Sequence, residues 1–128
     1  MCLALGFPKT KEDCEKIRNS PLKATEDILV YKVLTDEDLA PYKRTQYTKG
    51  RTHEVNNFSF NQKYWNLAMC WSLTIEQGFH SFKNKRFADD LLFIRGLGNK
   101  VVTMIIPKGT LYYESEDGRE YVSLKLKY

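Results

Sequence analysis

What the 128 residues lack narrows the field first. Cysteine is scarce: Cys2, Cys14 and Cys70 are odd in number, far apart and without a C-x-x-C pair. That argues against a disulfide framework or a zinc site and for a reducing, cytoplasmic compartment. Histidine is scarcer still, with His53 and His80 alone, and the acids Asp36, Glu37 and Asp38 are consecutive. Consecutive carboxylates point in different directions on any regular element, so no metal is expected. Long apolar runs are missing. Residues 67–75 and 101–106 fall far short of the ~20 that span a bilayer, and no membrane partner is expected. The start, MCLALGF, has no basic region and turns polar at residues 9–15, so no secretory signal is expected. Seven glycines and four prolines are too few for a collagen-like or linker-like chain.

What is present describes an ordinary globular domain. Hydrophobic residues make up 42% and charged residues 28%, enough apolar content to argue against disorder. The 20 Lys and Arg exceed the 16 Asp and Glu by four, a mild excess that permits nucleic acid without requiring it. With no repeat and no linker, residues 1–128 read as one domain.

The pattern along the chain predicts an α+β fold, a mainly antiparallel sheet with one or two packed helices. Residues 11–19 read as a short helix with Thr10 as N-cap and Asp13 placed for a capping box. Ile28–Leu34 reads as a strand buried on both faces. Residues 53–60 and 64–74 fit strands, though 65–71 fits a short helix equally well. Gly78–Phe82 reads as a Gly-led turn before the strongest helix, Lys85–Arg95, in which Phe87, Ala88, Leu91, Leu92 and Ile94 share a face, with Asn84 as cap and Gly96 as C-cap. Residues 101–106 form a second central strand, 107–109 a turn, Leu111–Glu114 a short strand and 115–118 a polar hairpin loop. In the last strand Val122, Leu124 and Leu126 alternate with Tyr121, Ser123, Lys125 and Lys127, which predicts one covered and one wet face.

Two segments carry recognisable chemistry. Residues 42–51 interleave Tyr42, Arg44, Tyr47 and Arg51 with lysines, the combination of phosphate-binding cations and stacking rings that suits a nucleotide or single-stranded RNA. An ordinary charged loop accounts for it equally well. In the second segment His80 and Ser81 stand near a helix start beside Lys83, Lys85 and Arg86, where backbone N–H groups and cations attract an anion. The competing account has Phe79 and Phe82 plugging the core while His80 makes a structural hydrogen bond. Ser81 or Ser123 with His53 or His80 supplies the inventory of a Ser-His-acid triad, but no G-x-S-x-G elbow accompanies it. Cys2 invites comparison with N-terminal-nucleophile hydrolases, and 128 residues are few for that architecture; a small apolar side chain in a β-like segment is the simpler reading.

Met1-Cys2-Leu3, Val30-Tyr31-Lys32-Val33-Leu34, Gly78-Phe79-His80-Ser81-Phe82, the run from Ile106-Pro107-Lys108-Gly109 to Tyr112-Tyr113, and Tyr121-Val122-Ser123 together resemble a group of small proteins from phages and gut bacteria. That resemblance implies no particular activity. The order of strand, serine-bearing segment and glutamate-bearing strand is also similar to mono-ADP-ribosyltransferases. This second resemblance implies NAD as cofactor, with Ser81 at the middle serine and Glu120 at the catalytic glutamate. Tyr31-Lys32 stands where that family has an arginine, and Gly118 two residues before Glu120.

The reading that follows is a non-enzymatic binding protein without a cofactor. It holds a nucleotide-like molecule or a host protein through Tyr42, Arg44, Tyr47, Arg51, His80, Ser81, Lys85 and Arg86. The alternatives are an NAD-using transferase and an interaction module, the latter forming a homodimer through the exposed faces of the last strand and of residues 48–60.

Overall fold

β-branched and aromatic residues cluster in short runs punctuated by Gly, Pro and Asp, and these runs pair into two sheets. The computed structural model describes residues 3–41, 45–95 and 98–128. Along the chain lie β1 (Leu3–Gly6), α1 (Lys11–Arg18), β2 (Leu22–Lys23), β3 (Ile28–Leu34), β4 (Thr52–Glu54), β5 (Ser59–Trp65) and β6 (Cys70–Gln77), then β7 (Phe79–Phe82), α2 (Lys85–Arg95), β8 (Lys100–Ile106), β9 (Leu111–Glu114), β10 (Glu120–Ser123) and β11 (Lys125–Lys127). The larger sheet has the order β2-β9-β10-β7-β3-β8-β11-β4 and the smaller β1-β6-β5. The ladders are antiparallel, and the fold is α+β as the pattern predicted.

Helix α1 begins where Thr10 predicts. The Asp13 N–H donates to Thr10 Oγ1 at 3.1 Å, a cap worth about 1 kcal/mol. Acids in the first turn and Lys16 and Arg18 in the last complement the helix dipole. The Tyr113 hydroxyl donates to the Arg18 carbonyl and ties the helix end to β9. Helix α2 occupies the expected residues and buries Ala88, while Phe93 points outward, 81% exposed. The proposed C-cap Gly96 lies outside the described residues, as does Cys2.

Of the two readings of the middle of the chain, strand and helix, the strand holds: β5 and β6 pair from Ser59↔Gln77 to Trp65↔Cys70 and turn at residues 66–69, so no helix forms over 65–71. Three expectations are corrected. Gly78–Phe82 is a glycine followed by strand β7, and all four β7 residues pair with β10. In β3, Val30, Val33 and Leu34 are buried, but Leu29 is 54% exposed, so its burial on both faces is incomplete. The C-terminal strand is two strands. β10 joins β9 and β7, whereas β11 joins β8 and β4, and the Ser123 hydroxyl donates to the Lys125 carbonyl across the break. Tyr121, Val122 and Ser123 are all buried, so β10 has no wet face.

The reason is that β10 lies between two cores. Tyr121 belongs to a cluster with Val30, Leu34, Met104, Ile106 and Leu126, covered by Ala40 and Tyr47. Its neighbour Val122 points the other way into a cluster with Tyr113, Leu3 and Ile75, to which Leu5, Phe58 and Phe60 add. The smaller sheet thus packs on one face of the larger, and the segment carrying Ala40 and Tyr47 covers part of the other. Among the described residues no helix is long and apolar enough to cross a membrane.

Candidate functional site

Strands β3 and β7 are neighbours in the sheet, yet they share a single ladder position, Tyr31↔Phe82. Continued by register, the ladder would set Lys32 opposite Ser81 and Val33 opposite His80. Instead the Lys32 ammonium donates to the His80 carbonyl, and all four residues line a cavity of about 910 Å³. The opposite wall comes from Ala40 and Pro41, from residues 45–47 and from residues 51–55; residues 77–79, Phe82, Leu91 and Glu120 complete the lining. Gly78 lets the chain enter β7 at this point. Its φ is +144°, and a Cβ there would stand 2.5 Å from Val122 Cγ2.

The interior combines fixed rings with a few polar groups. Tyr47 is 2% exposed and meets His53 edge-on at 4.9 Å and Phe79 at 6.1 Å. Burial pushes its hydroxyl well above the ordinary phenol range. The Lys32 ammonium lies 5.4 Å from the Tyr47 ring centre, so the half-buried cation has a π-face as well as a carbonyl. The Thr48 N–H donates to His53 Nε2 at 3.1 Å. That nitrogen therefore carries the lone pair, and the ring proton sits on Nδ1, which faces the Leu126 carbonyl at 3.4 Å.

Ser81 is the most unusual member. It is 2% exposed, and its Oγ has no hydrogen-bond partner among the described residues. A buried polar group left unmatched costs about 1–3 kcal/mol, a cost that a donor or acceptor on a ligand would remove. Glu120 is half-buried. Burial pushes its carboxyl above the ordinary range, Asp117 adds to the shift, and Lys32 opposes it.

The structure thus brings together Tyr47, Arg51, His80, Ser81 and Glu120 from three separated stretches of sequence. Lys85 and Arg86 stand at the start of α2, outside the cavity lining. The expected anion site at that helix start is dispersed because β7 intervenes as a strand, and Lys83 is engaged by Glu114 at 3.1 Å. Tyr42 and Arg44 lie outside the described residues. Tyr47 is a wall of the cavity, 2% exposed, with the Lys32 ammonium over its ring and His53 and Phe79 packed against it, so it offers no open stacking face. Among the described residues Ser81 Oγ bonds to neither histidine and Ser123 Oγ donates to the Lys125 carbonyl, so neither serine forms the expected triad. Among the described residues no three His, Cys, Asp or Glu side chains gather to hold a metal.

Sequence reasoning passed over Lys32 as a site residue. The signal was a lone cation inside an apolar strand, a placement that is costly unless partners surround it. No protein family, curated protein or solved structure matches the chain.

Proposed function

We propose that the cavity beside β3 and β7 binds an anionic, nucleotide-like small molecule. One observation carries this reading: Ser81 presents a buried, unmatched hydroxyl in the lining of a cavity of about 910 Å³. That volume lies in the range of small-molecule sites. Two cations of the lining, Lys32 inside and the exposed Arg51, supply the charge an anion requires. Cys14 and Cys70 are both free thiols, which supports a cytoplasmic setting.

The test is a thermal-shift panel of NAD, ADP-ribose, ATP, cyclic dinucleotides and short single-stranded RNA. A ligand at ~100 times its dissociation constant adds about 2.7 kcal/mol, enough to raise the midpoint of a domain this size by several degrees. Ser81→Ala and Arg51→Ala should each shrink that rise; without ligand, Arg51→Ala should keep its midpoint and Ser81→Ala should raise its own, because it removes an unmatched buried hydroxyl. A flat panel, or a rise unaltered in both variants, would remove the reading and direct attention to a host protein.

A second reading rests on a separate observation, that Ser81, Glu120 and Lys32 line the same cavity. Ser81 and Glu120 are the positions at which the resemblance to mono-ADP-ribosyltransferases puts its serine and its glutamate, while Tyr31-Lys32 departs from that family's arginine. Under this reading the protein cleaves NAD, with the Glu120 carboxylate facing the ribosyl cation. Nicotinamide release should then be lost in Glu120→Gln while NAD binding persists. Release that survives the substitution would discard it.

A further inference from the structure

The hairpin of β5 and β6 ends in a surface that contributes nothing to the cavity lining and is chemically unlike it. Its register sets Trp65 opposite Cys70, Tyr64 opposite Trp71 and Lys63 opposite Ser72, with residues 66–69 as the turn. At the tip Leu67 is 104% exposed and Met69 is 73% exposed. From Tyr64 to Ile75 the chain carries no charged residue. Trp65 and Tyr64 are also exposed, and the Trp65 indole points back to donate to Ser72 Oγ at 2.9 Å. The Lys63 ammonium stands 4.3 Å from the centre of the Trp65 ring. The Trp71 N–H donates to the Pro8 carbonyl, which brings the exposed Phe7 and Lys9 to the same end of the smaller sheet.

These residues are sorted by depth. By ladder position, Leu67, Ala68 and Met69 follow Asn66 in the turn, aromatic residues hold the next two rungs and Lys63 the third, where the Trp65 ring folds back beside its ammonium, a span of roughly 10 Å at ~3.3 Å per residue. That is the order and scale of a membrane interface, where apolar groups sink about 5–10 Å. There Trp and Tyr settle at the headgroups, and lysine extends its charge to the phosphates. A groove on another protein would not require such grading. We propose that the β5–β6 tip docks on an anionic lipid surface, inserting Leu67 and Met69 with Lys63 and Lys9 against the headgroups. The expectation of no membrane partner rested on the length needed to span a bilayer; docking of a turn needs no such length.

Both tryptophans of the chain lie on this hairpin, so their emission reports directly on insertion. The protein is mixed with vesicles of phosphatidylcholine alone or with phosphatidylglycerol added. It should co-sediment with the anionic vesicles and show a blue-shifted emission there. The double variant Leu67→Ser with Met69→Ser should lose both signals at an unchanged melting midpoint, since neither side chain contributes to the core. Lys63→Gln and Lys9→Gln should each lower partitioning about fivefold. Three outcomes would overturn the proposal: no co-sedimentation with anionic vesicles, undiminished sedimentation of the serine variant, or a vesicle-free dimer that this variant dissolves.

Discussion

At the scale of single residues, the most informative side chain is Glu120, because its environment opposes its charge. Burial holds its carboxyl above the unfolded value of 4.5, with Asp117 adding and Lys32 opposing. The folded state therefore binds this proton more tightly than the unfolded state does. The ionised group then disfavours folding at neutral pH, and that penalty disappears as the pH falls through the folded value toward 4.5. Glu120→Gln should accordingly raise the urea midpoint at pH 7, and the advantage over the native protein should close near pH 4. An advantage that widens in acid would mean that Glu120 is held by a favourable partner rather than strained by burial. The same substitution separates the two functional readings, since an amide keeps the shape of the cavity and removes the carboxylate.

Among the elements, β7 decides where the cavity lies, and Gly78 decides where β7 starts. Its φ of +144° is a conformation that side chains resist, and Val122 fills the space a Cβ would need. Gly78→Ala should cost about 1–3 kcal/mol, read as a lowered melting midpoint, and should weaken ligand binding by moving His80 and Ser81. An unchanged midpoint would mean that Val122 yields freely. This strand also marks the limit of what could be read in advance. β3, α2 and β9 were legible because an apolar run or a helical stripe repeats within each. Gly78-Phe79-His80-Ser81-Phe82 looked like a turn because a leading glycine and a mixed tetrapeptide have no period long enough to declare a strand. Its pairing with β10, some 40 positions on, supplies what local pattern lacks. The break between β10 and β11 was hidden for the opposite reason, since unbroken alternation looks like one strand even where the chain changes neighbours. Of the site, Tyr47, Arg51, His80 and Ser81 were singled out by their own chemistry, whereas the placement of Lys32 depends on a strand 48 positions away.

For the whole molecule, the two hydrophobic clusters meet back to back at Tyr121 and Val122 on one short strand. Neither sheet face can lose its packing without disturbing the other, so unfolding should be a single cooperative event. Tryptophan emission reports on the smaller sheet, because Trp65 and Trp71 both lie there, while far-ultraviolet circular dichroism reports on both sheets. The two denaturation curves should coincide. Val122→Ala should shift both together, at a cost of about 1–3 kcal/mol for a truncated core side chain. Curves that separate would show that the smaller sheet melts by itself.

The bond from Lys32 to the His80 carbonyl bears on how the cavity persists at all. Two strands side by side in one sheet would ordinarily zip shut, and each further rung would erase part of the empty space. A long flexible side chain placed at the first missing rung acts as a doorstop: it satisfies the exposed carbonyl and removes the incentive to close. The cavity is thus an unfinished ladder held open from within, its first missing rung occupied by the Lys32 side chain.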